Sequence, residues 1–184
     1  MRTRISTVLG TVAAAALLAA CGSDAETTAQ DHNAADVSFA TEMIPHHRQA
    51  LEMAEMASTR ASSPDVVQLA EEIAGAQDPE IENMSGWLEA WGEPVPEEMG
   101  GMEMGGMPGM MSEEQMQALE GAGGAAFDEM FLEMMIEHHT GAIQMAQTEQ
   151  SDGQYPEAID LAEQIEEGQT AEVETMQDLL GTNE

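Results

Sequence analysis

The sequence contains an internal repeat with a period of 92 residues that needs no gap. Met43-Ile44-Pro45-His46-His47 returns as Met135-Ile136-Glu137-His138-His139. The flanking identities that keep this offset are Phe39/Phe131, Ala50/Ala142, Met53/Met145, Pro64/Pro156, Leu69/Leu161, Gln77/Gln169, Met84/Met176 and Leu88/Leu180. A period this long indicates a duplicated helical hairpin rather than a solenoid of short units.

Apolar residues within each repeat recur with helical rather than alternating spacing. The predicted helices span residues 36–59, 65–91, 125–149 and 156–180. On a helical wheel of the first helix, Met43, His46 and His47 fall on the buried face. The sequence therefore predicts an all-α fold, a four-helix bundle built from two duplicated helical hairpins. Its first and third helices face each other across a pseudo-two-fold axis.

Caps, prolines and one amide refine this prediction. Asp36 and Ser63 are the expected N-caps of the first two helices. Pro45 predicts a kink or a late start in the first helix, and Pro79 predicts a bend in the second. Gln77, which the second repeat retains, is expected either to be partly exposed or to hydrogen-bond an internal group, for instance a ligand histidine.

Residues 1–20 have the features of an export signal, a basic start followed by an apolar run too short to span a bilayer. The run ends in Leu18-Ala19-Ala20-Cys21, which resembles the lipobox of bacterial lipoproteins, where cleavage leaves Cys21 as the lipid-bearing first residue. An ordinary secreted protein with a free cysteine is the alternative. We predict an exported protein, anchored through Cys21 to the outer face of the cell membrane or in the periplasm. A single cysteine excludes an internal disulfide and a Cys-rich metal site.

The rest of the chain is predicted to be a flexible tether followed by one domain. Residues 21–35 are small and polar, and His32 among them is expected to be solvated. Residues 36–184 suffice for one core. This domain divides into hairpins at 36–91 and 125–181 and a crossover at 92–124 that is rich in methionine and glycine.

The domain is strongly acidic. All 36 acidic side chains lie after residue 20, against Arg48 and Arg60 as the remaining basic ones. Nucleic acid is excluded as a partner, because binding phosphates needs a basic face. Such a surface concentrates cations, metal ions included, although solubility or salt adaptation explains the acidic excess more simply.

The two Met-x-x-His-His motifs carry the predicted chemistry. Four buried imidazoles would be costly unless each nitrogen found a partner, and a metal ion supplies several partners at once. Ferritin-like di-iron bundles use Glu-x-x-His, but here Met43 and Met135 replace the carboxylate. Imidazole with thioether suits copper, Cu(I) especially, better than iron, manganese or zinc. The predicted metal ligands are Met43, His46, His47, Met135, His138 and His139.

Other methionines are secondary candidates. The chain has 17 methionines beside only six aromatic residues (three Phe, two Trp and one Tyr). Six of the methionines lie in residues 99–111, with spacings that resemble the copper-collecting segments of extracytoplasmic copper-resistance proteins. Packing is the alternative, since methionine is an adaptable apolar filler. The secondary metal candidates are Met102, Met104, Met107 and Met110 in the crossover, with Met53 and Met145, whose helical core spacing favours packing.

Residues 36–181 resemble a family of secreted bacterial ferritin-like proteins catalogued as domain of unknown function 305. The resemblance rests on Met43–Met53 with its His pair, on residues 108–112 leading into Phe127-Asp128, and on Phe131–Met145. It implies a four-helix bundle that is exported or lipid-anchored. It also implies that the Met-x-x-His-His motifs are metal sites, because the family includes copper-binding members implicated in copper tolerance.

Three functions are compatible with these features. The first is a lipid-anchored copper-binding protein that buffers copper or hands it on without catalysis. The second is a copper-dependent oxidase on the same core, which oxygen consumption on adding Cu(I) would distinguish. The third is a metal-free helical interaction module in which the histidines are only core polar groups. The sequence leaves open which histidine of each pair binds metal, the stoichiometry, the oxidation state and the oligomeric state.

Overall fold

The computed structural model describes residues 32–96 and 107–182. The helices are α1 (Ala34–Arg60), α2 (Pro64–Trp91), α3 (Glu113–Gly121), α4 (Ala125–Asp152) and α5 (Pro156–Thr182). Within the described ranges there is no strand, and no helix has the apolar length of a membrane span. Helices α1 and α2 form one hairpin and α4 and α5 the other, with α1 packed against α4. The predicted all-α bundle of two hairpins is confirmed.

Helix α1 begins earlier than predicted. The side chain of Asn33 accepts hydrogen bonds from the N–H groups of Ala35 and Asp36, and the Asp36 carboxylate accepts one from the N–H of Asn33. In this capping box Asn33 is the N-cap. The prediction of Asp36 as N-cap is therefore wrong, and Ala34 and Ala35 belong to α1 rather than to a tether. The export signal and tether residues 21–31 lie outside the described residues.

The helix interiors tolerate two prolines. Pro45 lies inside α1 and Pro79 inside α2, and both helices continue through them. The late start considered for α1 at Pro45 is therefore wrong. Ser63 is the N-cap of α2 as predicted, with Pro64 in the first turn, but its side chain makes no capping hydrogen bond.

The aromatic rings outside the phenylalanines gather at the end of the bundle where α1 begins. Trp87 and Trp91 of α2 make edge contacts with Tyr155, with ring centroids 5.6 and 5.2 Å apart. His32 stacks on Trp91 at 4.4 Å, with the rings nearly parallel. The expectation that His32 is solvated is therefore wrong.

A layer of polar side chains divides the core into two apolar clusters. One cluster joins the second half of α1 and the first half of α2 to residues 127–135 of α4. The other joins the first half of α1 and the second half of α2 to residues 142–165 of α4 and α5. Between its two apolar stretches, each long helix carries one to three buried polar residues, Gln49 of α1 among them. We call the histidines and the two repeat-related glutamines of this region the polar layer: His46 and His47 of α1, Gln77 of α2, His138 and His139 of α4, and Gln169 of α5.

Candidate metal centre

His46 and His138 meet in the polar layer. Their ring centroids are 3.7 Å apart, with the planes tilted by 37°, and both side chains are fully buried. His46 Nε2 donates a hydrogen bond of 3.1 Å to the carbonyl oxygen of Pro108, so Nδ1 carries the lone pair of this ring. Neither this Nδ1 nor either ring nitrogen of His138 makes a hydrogen bond of ordinary geometry. Each ring of the pair thus has one lone pair available to a ligand.

Burial keeps both imidazoles of this pair neutral. Removal from water lowers the pKa of His46 to about 3, and the neighbouring His47 adds to the effect. Burial also holds the pKa of His138 well below its ordinary value, with His46 contributing. A neutral imidazole has one lone pair for a metal ion. The pair therefore presents unprotonated donors throughout the neutral pH range.

The other histidine of each motif is bound to a carboxylate. His47 Nε2 lies 2.6 Å from Glu80 Oε2, and His139 Nε2 lies 2.7 Å from Glu172 Oε2. Both imidazoles are fully buried, and the two carboxylate side chains are 18% and 21% exposed. Glu80 and Glu172 were not among the residues predicted from the sequence. The repeat could have indicated them, because these two glutamates are also 92 residues apart.

The methionines of the two motifs flank the polar layer from opposite sides. Met43 and Met135 are fully buried, Met43 in the apolar cluster that contains Phe39 and Met135 in the other. Met145 and Met53 are buried in the same two clusters, respectively. In the described ranges there is no group of three or more His, Cys, Asp or Glu arranged to hold a metal ion. The donors next to the histidines along the helices are thioethers.

The end of the crossover, Met107–Met111, forms a strap against this centre. The Gln49 side chain binds the backbone of Met111 in the strap. The N–H of Met111 donates a hydrogen bond of 2.7 Å to Gln49 Oε1, and Gln49 Nε2 donates one of 2.9 Å to the carbonyl oxygen of Met111. Gly141 leaves room on α4, since a Cβ there would lie 2.1 Å from the carbonyl oxygen of Pro108. The position of the strap therefore depends on the Gln49 side chain, which binds it, and on Gly141, which has no side chain to collide with it.

The remaining crossover candidates divide into two groups. Met107 and Met110, within the strap, are half-buried. Met102 and Met104 lie outside the described residues, as does Cys21. Beside the strap, α1 and α4 border a cleft of about 270 Å³ whose lining includes Pro108 and Met145. Pro108 thus belongs both to the cleft and to the hydrogen bond with His46.

The strap breaks the two-fold symmetry of the centre. Gln49 and Gly141 occupy equivalent places in the two repeats, yet only Gln49 has a side chain that holds the strap. His46 consequently hydrogen-bonds to the strap, whereas His138 lies against the backbone of His46. The two imidazoles are therefore chemically distinct.

The amides of the polar layer have no hydrogen-bond partners in the part of the chain that the structure describes. Gln77 is 2% exposed and Gln169 is 4% exposed, and neither the nitrogen nor the oxygen of either amide is hydrogen-bonded. The considered bond to a histidine is not formed, and partial exposure is ruled out. Buried polar groups are nearly always satisfied by protein, water or a bound ion. These amides in the layer of the histidines are therefore groups that a water molecule or a bound ion would satisfy.

The family model for domain of unknown function 305 (DUF305) matches residues 36–180. The chain belongs to the DUF305 family. A DUF305 protein from Streptomyces coelicolor is 35% identical, with 80% of this chain and 93% of that chain covered and a TM-score of 0.74. A DUF305 fragment from Deinococcus radiodurans is 33% identical, with 82% and 97% covered and a TM-score of 0.74. The two-hairpin fold is thus shared with solved DUF305 structures.

A third relative of this DUF305 chain has been solved with metal. CopM in its Cu(II)-bound form is 35% identical, with 81% of this chain and 97% of that chain covered and a TM-score of 0.72. CopM has also been solved with Cu(I) and with silver, at 32% identity in both cases. No functionally curated protein matches the sequence.

Proposed function

We propose that this DUF305 protein binds copper, Cu(I) in particular, in its polar layer and buffers it or hands it on outside the cytoplasm. The observation that carries the proposal is the contact between His46 and His138. Two neutral, fully buried imidazoles touch, and three of their four nitrogens have no partner of ordinary geometry within the described residues. Each unsatisfied buried polar group costs about 1–3 kcal/mol. A metal ion bound to the one lone pair that each neutral ring offers offsets part of that cost.

The donor types favour a soft, monovalent ion. Met43 and Met135 precede His46 and His138 by one helical turn, and all four side chains are fully buried. Thioether and imidazole ligands bind Cu(I) better than they bind hard cations, because hard cations prefer oxygen ligands. CopM has been solved with Cu(I) and with silver, which as silver(I) is also soft and monovalent, as well as with Cu(II).

The strap supports exchange of the ion with the outside. His46 Nε2 is occupied by the carbonyl of Pro108, which also lines the cleft between α1 and α4. The lining of this cleft also includes Met145. Met107 and Met110 lie on either side of Pro108 in the strap and are half-buried. We propose that these soft donors load and release the ion.

Export and lipid attachment form the second part of the proposal. Residues 1–20 have the composition of an export signal, and Leu18–Cys21 resembles a lipobox. The Streptomyces coelicolor relative is described as secreted. Metabolic labelling with a radioactive fatty acid should mark the wild-type protein and leave C21S unlabelled. Equal labelling of both proteins would exclude Cys21 as the anchor.

The histidine pair is tested by titration with Cu(I) against a competing chelator under anaerobic conditions. We expect at least one tight site in the wild-type protein and a loss of affinity of roughly 100-fold or more in H46A/H138A, since two of the ligand nitrogens are removed. H32A is the control, because His32 stacks on Trp91 outside the polar layer. Unchanged affinity in H46A/H138A would reject the proposal.

The thioethers are tested with a second pair of variants. M43L/M135L keeps the volume of two buried side chains but removes the two sulfur atoms nearest the histidines along the helices. We expect Cu(I) affinity to fall roughly 10-fold or more. M53L/M145L is the matched control, because these methionines are also related by the repeat and are buried in the same clusters. An equal effect of the two double variants would assign no special role to Met43 and Met135.

A further inference from the structure

Glu80 and Glu172 make the same contact in the two halves of the molecule. Each lies 33 residues after the histidine it contacts, Glu80 after His47 and Glu172 after His139. The N···O distances are 2.6 and 2.7 Å. The second repeat thus reproduces both the residue types and the geometry.

These contacts determine which ring nitrogen carries the proton and which carries the lone pair. A carboxylate accepts hydrogen bonds, so Nε2 of each histidine must carry the proton that is donated to it. The lone pair of the neutral ring then lies on Nδ1. In both His47 and His139 this Nδ1 is buried and has no hydrogen-bond partner within the described residues. Each imidazole therefore has Nε2 bound to a carboxylate and a buried Nδ1 with a lone pair.

We propose that Glu80 and Glu172 are positioning residues for the metal centre, which orient His47 and His139 so that Nδ1 is the donor atom and which balance the charge of the bound ion. This inference rests on the proposed copper binding. Carboxylates behind metal-bound histidines fix the tautomer and raise the basicity of the ligand. Glu80 and Glu172 lie outside the two Met-x-x-His-His motifs and act on the centre through the histidines.

The positive charge of a bound ion needs nearby negative groups such as these two carboxylates. Thioethers and neutral imidazoles bring no negative charge to a cation, and an uncompensated charge in an apolar core is costly. The carboxylates of Glu80 and Glu172 each touch an imidazole while remaining about one-fifth exposed. They keep contact with water and supply negative charge one ring away from the ion.

The charge is tested with E80Q/E172Q, whose amide oxygens can still accept the Nε2 proton. We expect Cu(I) affinity to fall roughly 10- to 100-fold, the usual effect of changing an outer carboxylate. The matched control is E82Q/E174Q, which removes two exposed glutamates that are also 92 residues apart on the same two helices. Both double variants should have similar melting temperatures without metal.

An affinity of E80Q/E172Q within twofold of E82Q/E174Q would overturn the inference while leaving copper binding intact. Absence of tight Cu(I) binding by the wild-type protein would instead reject the proposed function. The two failures are therefore distinguishable.

The donor atom is tested on the unchanged protein, which avoids any folding defect of a variant. Silver(I) is added to protein labelled with ¹⁵N at histidine, and the coupling between the silver nucleus and the ring nitrogens is measured by NMR. We expect coupling to Nδ1 of His47 and His139, with Nε2 still protonated. Coupling to Nε2 of these rings, or coupling to His46 and His138 alone, would overturn the inference.

Discussion

Asp36 and Asp128, which are related by the 92-residue repeat, tie the two hairpins together in the same way. The Asp36 carboxylate, at the start of α1, accepts hydrogen bonds of 2.9 and 2.8 Å from the N–H groups at 154–155, in the turn between α4 and α5. The Asp128 carboxylate, at the start of α4, accepts two bonds of 3.0 Å from the N–H groups at 62–63, in the turn between α1 and α2. Each turn is thus held by the first helix of the other hairpin.

The tie at Asp128 should contribute measurably to stability. Asp128 is 4% exposed and accepts hydrogen bonds from the backbone of Ser62 and Ser63 and from the Ser62 hydroxyl. D128N keeps one acceptor oxygen but loses the charge, so we expect the free energy of unfolding to fall by about 1–3 kcal/mol. Urea denaturation measures it. E129Q, at the exposed neighbouring position, should change stability by less than about 0.5 kcal/mol. Equal effects of both variants would contradict this role.

The repeat made the fold predictable from sequence. Two copies of one helical hairpin imply a pseudo-two-fold axis, and residues equivalent by the repeat, such as Asp36 and Asp128, have equivalent contacts. The exact start of α1 was not predictable in this way. Asn33 and Asp36 are both good capping residues, and the choice between them depends on the tie from Asp36 to the distant turn at 154–155.

The candidate site was only partly predictable. The helical wheel placed the histidines in the core, because burial follows helical periodicity. Glu80 and Glu172 were not distinguished, since they are two of 36 acidic residues and lie at the edge of the buried face. The strap was not predictable either. It depends on Gln49 and Gly141, which differ between the repeats, and on a tertiary contact that no local pattern encodes.

The fit of the strap against α4 can be tested at Gly141. In a helix interior, glycine-to-alanine substitution normally stabilises by about 0.5–1 kcal/mol. At Gly141 the new Cβ would lie 2.1 Å from the carbonyl oxygen of Pro108, so we expect G141A to be destabilising by about 1–3 kcal/mol. G168A is the matched control, because that α5 glycine has open space around it and should show the normal gain. Thermal unfolding of G141A, G168A and the wild-type protein measures these changes in stability. A G141A variant more stable than wild type would show that the strap is easily displaced.

Glu149 should make stability depend on pH. This carboxyl is 1% exposed, and burial together with the adjacent Asp36 raises its pKa to about 8 from an ordinary 4.5. Because the folded pKa is raised, the stabilisation is complete below pH 4.5 and is lost as pH rises through about 8. Glutamine mimics the protonated form. We therefore expect E149Q to be more stable than wild type at pH 8, by at least about 1 kcal/mol, and equal to it near pH 4.5.

The measurement for Glu149 is urea denaturation at several pH values between 4.5 and 9. E42Q is the control, because Glu42 is exposed and lines the same cleft as Glu149. It should retain the pH dependence of the wild-type protein across this interval. A wild-type protein whose stability is constant from pH 4.5 to 8, apart from effects shared by E149Q, would contradict the prediction.

The two histidines of one motif should respond oppositely to replacement by leucine. His138 is fully buried and neither of its nitrogens makes a hydrogen bond of ordinary geometry, so H138L removes an unsatisfied polar group. We expect the metal-free variant to gain about 1–3 kcal/mol. H139L instead breaks the contact with Glu172 and leaves that carboxylate without its partner, so it should be destabilising.

Copper should reverse the ranking of wild type and H138L. An ion that binds only the folded state raises the melting temperature in proportion to the logarithm of its concentration over the dissociation constant. Cu(I) should therefore stabilise the wild-type protein and have little effect on H138L, which lacks one imidazole of the central pair. Melting curves with and without Cu(I) measure both effects. A metal-free H138L less stable than wild type would mean that His138 is satisfied within the protein, and the strongest support for an ion between His46 and His138 would be lost.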